Sequence, residues 1–364
     1  MDEQKYNLEQ SIAELDKLFD LSAEVTDKTA CEALAEKARI IYEQYPESED
    51  IALLYARILV NLSTNQTVLK ERMATAKKLE KLQKKFQDSY DIAEALAMIL
   101  FNLSIGQTEL KELETTAEKL QVLQQQFQDS HDIAKALAMI LFNLSIEQTE
   151  LKELETSAEK LQVLQQQFQD SHDIAEALAK ILFNLSIEQT DLKELEATAE
   201  KLQVLQQQFP DSPDIALEYA KILVNLSTKQ TELKELEASV SKLQSLQERF
   251  DKSEVIAFIY GVFLANLFDP QTKVDEYAEE TEKIKKLYKQ FSKFMLQIFD
   301  DLFFRYDNVC DRKEYKLFNF ILKEDLLKNT KYAILQTWAE RYKEDSSELK
   351  NLLSIYQIVQ KIKY

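Results

Sequence analysis

Residues 91–131 read DIAEALAMILFNLSIGQTELKELETTAEKLQVLQQQFQDSH, and the apolar positions in this stretch decide the fold. In its first part Ile92, Leu96, Ile99, Leu100 and Leu103 fall at helical spacings, with small Ala93 and Ala97 where a second helix can approach closely. This predicts a first helix. Leu110, Leu113, Ala117, Leu120, Leu123 and Phe127 then repeat the spacing, with Glu, Lys and Gln at the other positions. The pattern predicts a longer second helix with one buried stripe and one solvated face. Only IGQT separates the two, so they are expected to be antiparallel neighbours.

The same pattern recurs along the chain. Thr26, Thr67, Thr108, Thr149, Thr190, Thr231 and Thr272 are 41 residues apart, as are Tyr45, Phe86, Phe127, Phe168, Phe209, Phe250 and Phe291. Counting from these gives units at 9–49, 50–90, 91–131, 132–172, 173–213, 214–254 and 255–295, followed by a non-repeating tail, 296–364. Units 91–131 and 132–172 differ only at Glu94/Lys135, Gly106/Glu147 and Thr116/Ser157, which points to recent duplication. A strict period of this length with helical patterning inside it specifies an all-α solenoid, in which each unit buries its apolar stripe against its neighbours. The degenerate end units are expected to act as caps.

Composition narrows the classes further. Two glycines in 364 residues leave almost no residue suited to positive φ, and strand-like alternation is absent. The amino terminus, MDEQKYNLEQ, has no basic segment followed by an apolar stretch, and apolar runs such as 95–101 are too short to span a bilayer. A cytoplasmic protein is the expectation. Cys31 and Cys310 belong to no CxxC or Cys/His cluster and are expected as reduced thiols. The net charge is −19, and because residues 296–364 hold 12 basic and 11 acidic side chains, the first 295 residues carry about −20. Such a surface repels phosphate backbones and anionic lipid, so direct nucleic-acid binding and membrane attachment are not expected. A basic or neutral partner fits better.

Both joints carry capping signals. Thr108 and its copies stand just before the second helix, where a hydroxyl can accept a first-turn backbone N–H, and Glu109, Glu112 and Glu114 suit the positive end of the helix dipole. At the other joint QDSH, QDSY and FPDSPD place Asp or Ser before the next first helix, and Pro46, Pro210 and Pro213 fall there.

Residues 209–227, FPDSPDIALEYAKILVNLS, resemble the joint and first helix of a tetratricopeptide repeat, with Ala216, Tyr219, Ala220 and Leu223 at the family's helix-packing positions. The unit here has 41 residues rather than 34, its second helix is longer, and the family's glycine and tryptophan positions are not reproduced; a HEAT- or armadillo-like array is the alternative. The resemblance implies a right-handed superhelix of about seven two-helix units, whose first helices line a concave groove that receives peptides or protein segments.

Three columns on the first helix are the candidate partner-binding residues, spaced like Glu94, Met98 and Asn102. One column runs Leu53, Glu94, Lys135, Glu176, Leu217 and Phe258; the second runs Arg57, Met98, Met139, Lys180, Lys221 and Val262. The third is constant: Asn61, Asn102, Asn143, Asn184, Asn225 and Asn266. An asparagine amide has two donors and an acceptor and can pair with an extended main chain without reading its sequence. The competing role is structural, each Asn bonding backbone groups in the loop or the next unit.

Other motifs point away from chemistry. The repeated Asn-Leu-Ser, 61–63 to 225–227, matches the glycosylation pattern by coincidence inside helices. His131 and His172 are expected at solvated loop positions rather than as metal ligands. Gln124–Gln126 and their copies are held in helical phase by Leu123 and Phe127 and are expected at the surface. Columns such as Glu114, Glu155, Glu196 and Glu237 read as a solvated face able to attract a basic partner. Twelve of the 69 tail residues are aromatic, which predicts a helical cap with Trp338 in its core.

No nucleophile–base set, phosphate loop, metal motif or cofactor signature emerges, and the same Glu in every copy is the opposite of a unique catalytic constellation. The expectation is a non-catalytic protein- or peptide-binding scaffold. An acidic decoy of a basic, nucleic-acid-binding protein and a ligand-sensing regulator are the alternatives.

Overall fold

The computed structural model describes residues 2–266, except 149, 231 and 232, together with 283, 287 and 290. Thr149, Thr231, Thr272, Phe291, Cys310 and the tail 296–364 with Trp338 lie outside the described residues. The described residues form thirteen α-helices and no strand. The chain divides into two compact units, 1–222 and 223–364. No helix among the described residues is long and apolar enough to cross a membrane.

The first unit holds α1 (Asp2–Glu24), α2 (Lys28–Gln44), α3 (Glu49–Asn65), α4 (Leu69–Lys85), α5 (Tyr90–Ser104), α6 (Leu110–Gln126), α7 (His131–Glu147), α8 (Leu151–Gln167), α9 (His172–Glu188) and α10 (Leu192–Gln208). Odd-numbered helices are the first helices of the repeats and even-numbered ones the second. Each packs on its hairpin partner, and α1, α3, α5, α7 and α9 pack on one another in sequence, as a tandem helical array requires. The core is the predicted stripe: Ile92, Ala93, Ala97 and Ile99 are fully buried, and Ile133, Ala134, Ala138 and Ile140 repeat them. At the amino-terminal end, α1 buries Leu15 and Leu18 and exposes Glu14, Asp16, Lys17 and Asp20, the polar outer face of a cap. Cys31 is buried, and burial pushes its thiol up from the ordinary value.

α11 (Pro213–Ser227) crosses the division between the units. In the second unit α12 (Leu233–Arg249) packs on α13 (Glu254–Asn266) around Leu243, Leu246, Ile256 and Phe263.

The joints work without glycine. The Phe127 N–H bonds Leu123 O at 2.8 Å, ending α6, and Ser130 N–H bonds Phe127 O at 3.0 Å; Phe168, Phe209 and Phe250 repeat this closure. The constant aromatic is thus a helix terminator, and the serine three residues on is the next N-cap. Ser48, Ser130, Ser171, Ser212 and Ser253 accept the backbone N–H three residues ahead, as the second capping signal predicted.

The threonine cap is corrected. The residue with N-cap backbone is the one after the threonine: Val68, Glu109, Glu150 and Asp191. Of these only Asp191 makes a side-chain cap, to the N–H groups of Lys193 and Glu194. Thr67, Thr108 and Thr190 are exposed one position outside the helix, and no hydrogen bond of theirs accounts for their constancy. The glutamines before Thr67, Thr108 and Thr149 are buried: Gln66, Gln107 and Gln148 accept, at 3.0 Å each, from Thr75, Thr116 and Ser157 on the second helix.

Candidate functional site

The third column is tied into the fold. Ser63, Ser104 and Ser145, the last residues of the Asn-Leu-Ser triplets, donate their hydroxyls to the carbonyls of Val60, Phe101 and Phe142, each at 2.7 Å. A hydroxyl that donates there has only lone pairs left to offer, so the neighbouring amide must present its NH2. Asn102 Nδ2 donates to Ser63 Oγ at 2.8 Å, Asn143 to Ser104 at 3.2 Å and Asn184 to Ser145 at 3.1 Å. Asn61 does the same with Ser22 of α1, at 2.8 Å. Each of these four asparagines therefore staples its repeat to the one before, through a serine side chain rather than through backbone groups.

The glutamine run forms a matching staple at the other end of the hairpins. Gln124 is buried and donates to Gln128 O in its own joint, while Gln126 is exposed and donates across the interface to Gln87 O at 2.8 Å. Gln165/Gln167 and Gln206/Gln208 repeat the pair. In the second unit Gln290 donates to Asp251 O in the same manner. Both staples sit at helix C-termini, and because the helices of a hairpin are antiparallel, the three interfaces that join units 50–90 to 173–213 are each held at their two ends.

The first column reaches the start of the next first helix. Ser130 Oγ donates to Glu94 Oε1 at 2.9 Å and Ser212 Oγ to Glu176 Oε1 at 3.0 Å, while Lys135 Nζ lies 2.7 Å from Asp173 Oδ2. Partial burial pushes the Glu94 carboxyl up from its ordinary value, against the opposing pull of the Ser130 bond. The side chains of Phe258, Val262 and Asn266 lie outside the described residues.

The second column is the one that faces outward. Met98 is 51 % exposed, Arg57 is exposed with Asp91 at 3.8 Å, and Met139 is half-buried. Lys180 lies over the ring of Phe142 and Lys221 over that of Phe183, at 5.6 and 4.8 Å from the centroids. Lys221 also bonds Glu218, a buried carboxylate at the position where the three preceding repeats carry Ala95, Ala136 and Ala177. Burial raises the Glu218 carboxyl and Lys221 opposes the shift.

Two rows went unnoticed in the sequence. Phe101, Phe142 and Phe183 are half-buried beside the asparagines, and Ile105, Ile146 and Ile187 are each more than half exposed one turn further on. Their regular recurrence was the available signal. Together with the second column they make the first-helix face of α5, α7 and α9 apolar along its length, with cations at intervals.

The histidines are not in loops. His131 and His172 open α7 and α9, and their rings meet Phe168 and Phe209 edge-on at 5.5 and 4.8 Å, as Tyr90 meets Phe127 at 6.0 Å. The His131 Nε2 is 3.1 Å from Ser171 Oγ. No cluster of metal-ligating side chains occurs among the described residues.

No protein-family model matches the chain. No curated protein matches it in sequence. Among solved structures it is similar to one described as "Computational Design of Self-Assembling Cyclic Protein Homooligomers", at 13% identity over 80% of this chain and 95% of the other, with a TM-score of 0.16. A score that low carries nothing about fold or assembly.

Proposed function

We propose that this chain is a non-catalytic scaffold that holds an extended segment of another protein along the first-helix face of its repeats. One observation carries the reading: the second column, Arg57, Met98, Met139, Lys180 and Lys221, takes three residue types over five repeats at exposed or half-buried positions, while the asparagines and serines beside it are constant and engaged in staples. Variation at outward positions over a fixed frame suits a surface that selects side chains. Rungs at a helix-packing distance of about 10 Å match three residues of extended chain at about 3.3 Å each. The acidic balance of the array favours a basic or neutral segment, which would lay apolar side chains between the Phe142 and Phe183 rungs. The small and large residues Ala216, Tyr219, Ala220 and Leu223 support a tetratricopeptide-like form of the repeat.

Photocrosslinking tests this in the native host. With benzoylphenylalanine in place of Met98, Ile146 or Val163, protein adducts are expected at the first two positions and not at Val163, an equally open site on α8. Adducts at Val163 alone would refute it.

A further inference from the structure

We propose that the outward face of α4 is a second docking surface, built for an acidic polypeptide segment. The chain as a whole is strongly acidic, but α4 carries seven basic and two acidic side chains, whereas α6, α8 and α10 carry two basic and three acidic ones each. Lys70, Lys77, Lys78, Lys81, Lys84 and Lys85 are all exposed, and at 3.6 residues per turn they fall within one arc of about 120°.

The fold does not require these lysines. At the matching positions of the next repeat Lys77 is Glu118, Lys81 is Val122 and Lys84 is Gln125, on a helix with the same buried stripe. Lys77/Lys81 and Lys81/Lys85 are like charges four residues apart, and Lys78/Lys81 and Lys81/Lys84 three apart, spacings that destabilise a helix. The helix's own carboxylates do not relieve this. Glu71 is paired with Lys28 at 2.7 Å and Glu80 with Lys119 at 2.6 Å, both on neighbouring repeats. Lys85 reaches Glu47 at 2.7 Å, while Lys77, Lys81 and Lys84 have no ion pair among the described residues. A local conflict that the architecture does not need, repeated over three positions of one helix, is what a binding surface leaves behind.

Charge complementarity selects the occupant. The patch is one helix wide and about 22 Å long, from Lys70 to Lys85 at about 1.5 Å per residue. Carboxylates stand among these lysines: Glu36 of α2 acts on Lys78, and Glu47 in the joint after α2 meets Lys85. A nucleic-acid backbone or a lipid surface is uniformly anionic and would bring phosphates over those carboxylates. A polypeptide can space acidic side chains to match the lysines and place neutral ones elsewhere.

The test uses the full chain and three probes at equal concentration in moderate salt: a labelled polyglutamate peptide, an oligothymidylate of equal charge, and phosphatidylserine-containing vesicles. The variant Lys77→Glu/Lys81→Val/Lys84→Gln takes its residues from the next repeat, so it is expected to keep or raise the melting temperature. The expected result is peptide binding to the native chain, weakened at least about tenfold in the variant, with the oligonucleotide and vesicles bound less well. Equal peptide binding to both proteins, or no binding to either, overturns the proposal. Preference for the oligonucleotide or vesicles overturns the partner class, and a native dimer that the variant disperses would assign the patch to a second copy instead.

Discussion

Asn143 donates its side-chain amide to Ser104 of the preceding repeat, 3.2 Å away, and Ser104 in turn donates to Phe101 O. This two-step relay ties each first helix to the end of the one before it and explains why both outer residues of the Asn-Leu-Ser triplet are constant. A net hydrogen bond of this kind contributes about 1 kcal/mol. Asn143→Ala and Ser104→Ala are each expected to lower unfolding free energy by about that amount, with the double variant losing clearly less than the sum. Urea denaturation of the four proteins checks it; additive losses would mean that the contact does not couple the repeats.

Second-helix caps give a sharper local prediction. Thr108→Ala is expected to change stability by less than about 0.5 kcal/mol, since the residue lies outside the helix. Asp191→Ala should cost about 1 kcal/mol, and Glu109→Asp should return a similar amount to α6 by giving it the cap that α10 has. Thermal melts of the three variants decide it. A large loss for Thr108→Ala with no effect at Asp191 would restore the threonine as the cap.

Glu218 makes stability depend on pH. Burial raises its carboxyl above the ordinary range, so the folded chain keeps this proton at a pH where the unfolded chain has lost it. Between the ordinary and the raised value stability therefore falls as pH rises. Glu218→Ala, which installs the residue of the sister repeats, is expected to flatten that fall. Urea midpoints for both proteins across the carboxylate range should diverge; parallel profiles would show that Glu218 contributes no linkage.

Much of this was legible from periodicity. A 41-residue period with Ile92, Ile99 and Leu103 on one stripe fixes helical hairpins, and the joint serines fix where the first helices start, because side chain and backbone signals coincide there. The threonine misled because it has a capping side chain, while the extended backbone falls one residue later, even where that residue is Val68. The Asn–Ser staple joins residues 39 apart in different units, so no single repeat displays it. Net charge hid the α4 lysines, since averaging over the array cancels a patch confined to one helix.

The most direct test of the scaffold reading is the affinity of peptides, selected from a random library on the full chain, for two triple variants. Met98→Glu/Ile146→Glu/Ile187→Glu alters open positions of the first-helix face without touching a staple; Val122→Glu/Val163→Glu/Val204→Glu does the same on α6, α8 and α10. Fluorescence anisotropy is predicted to show binding weakened at least about tenfold by the first and nearly unchanged by the second. Loss of binding only in the second variant, or in neither, would contradict the account.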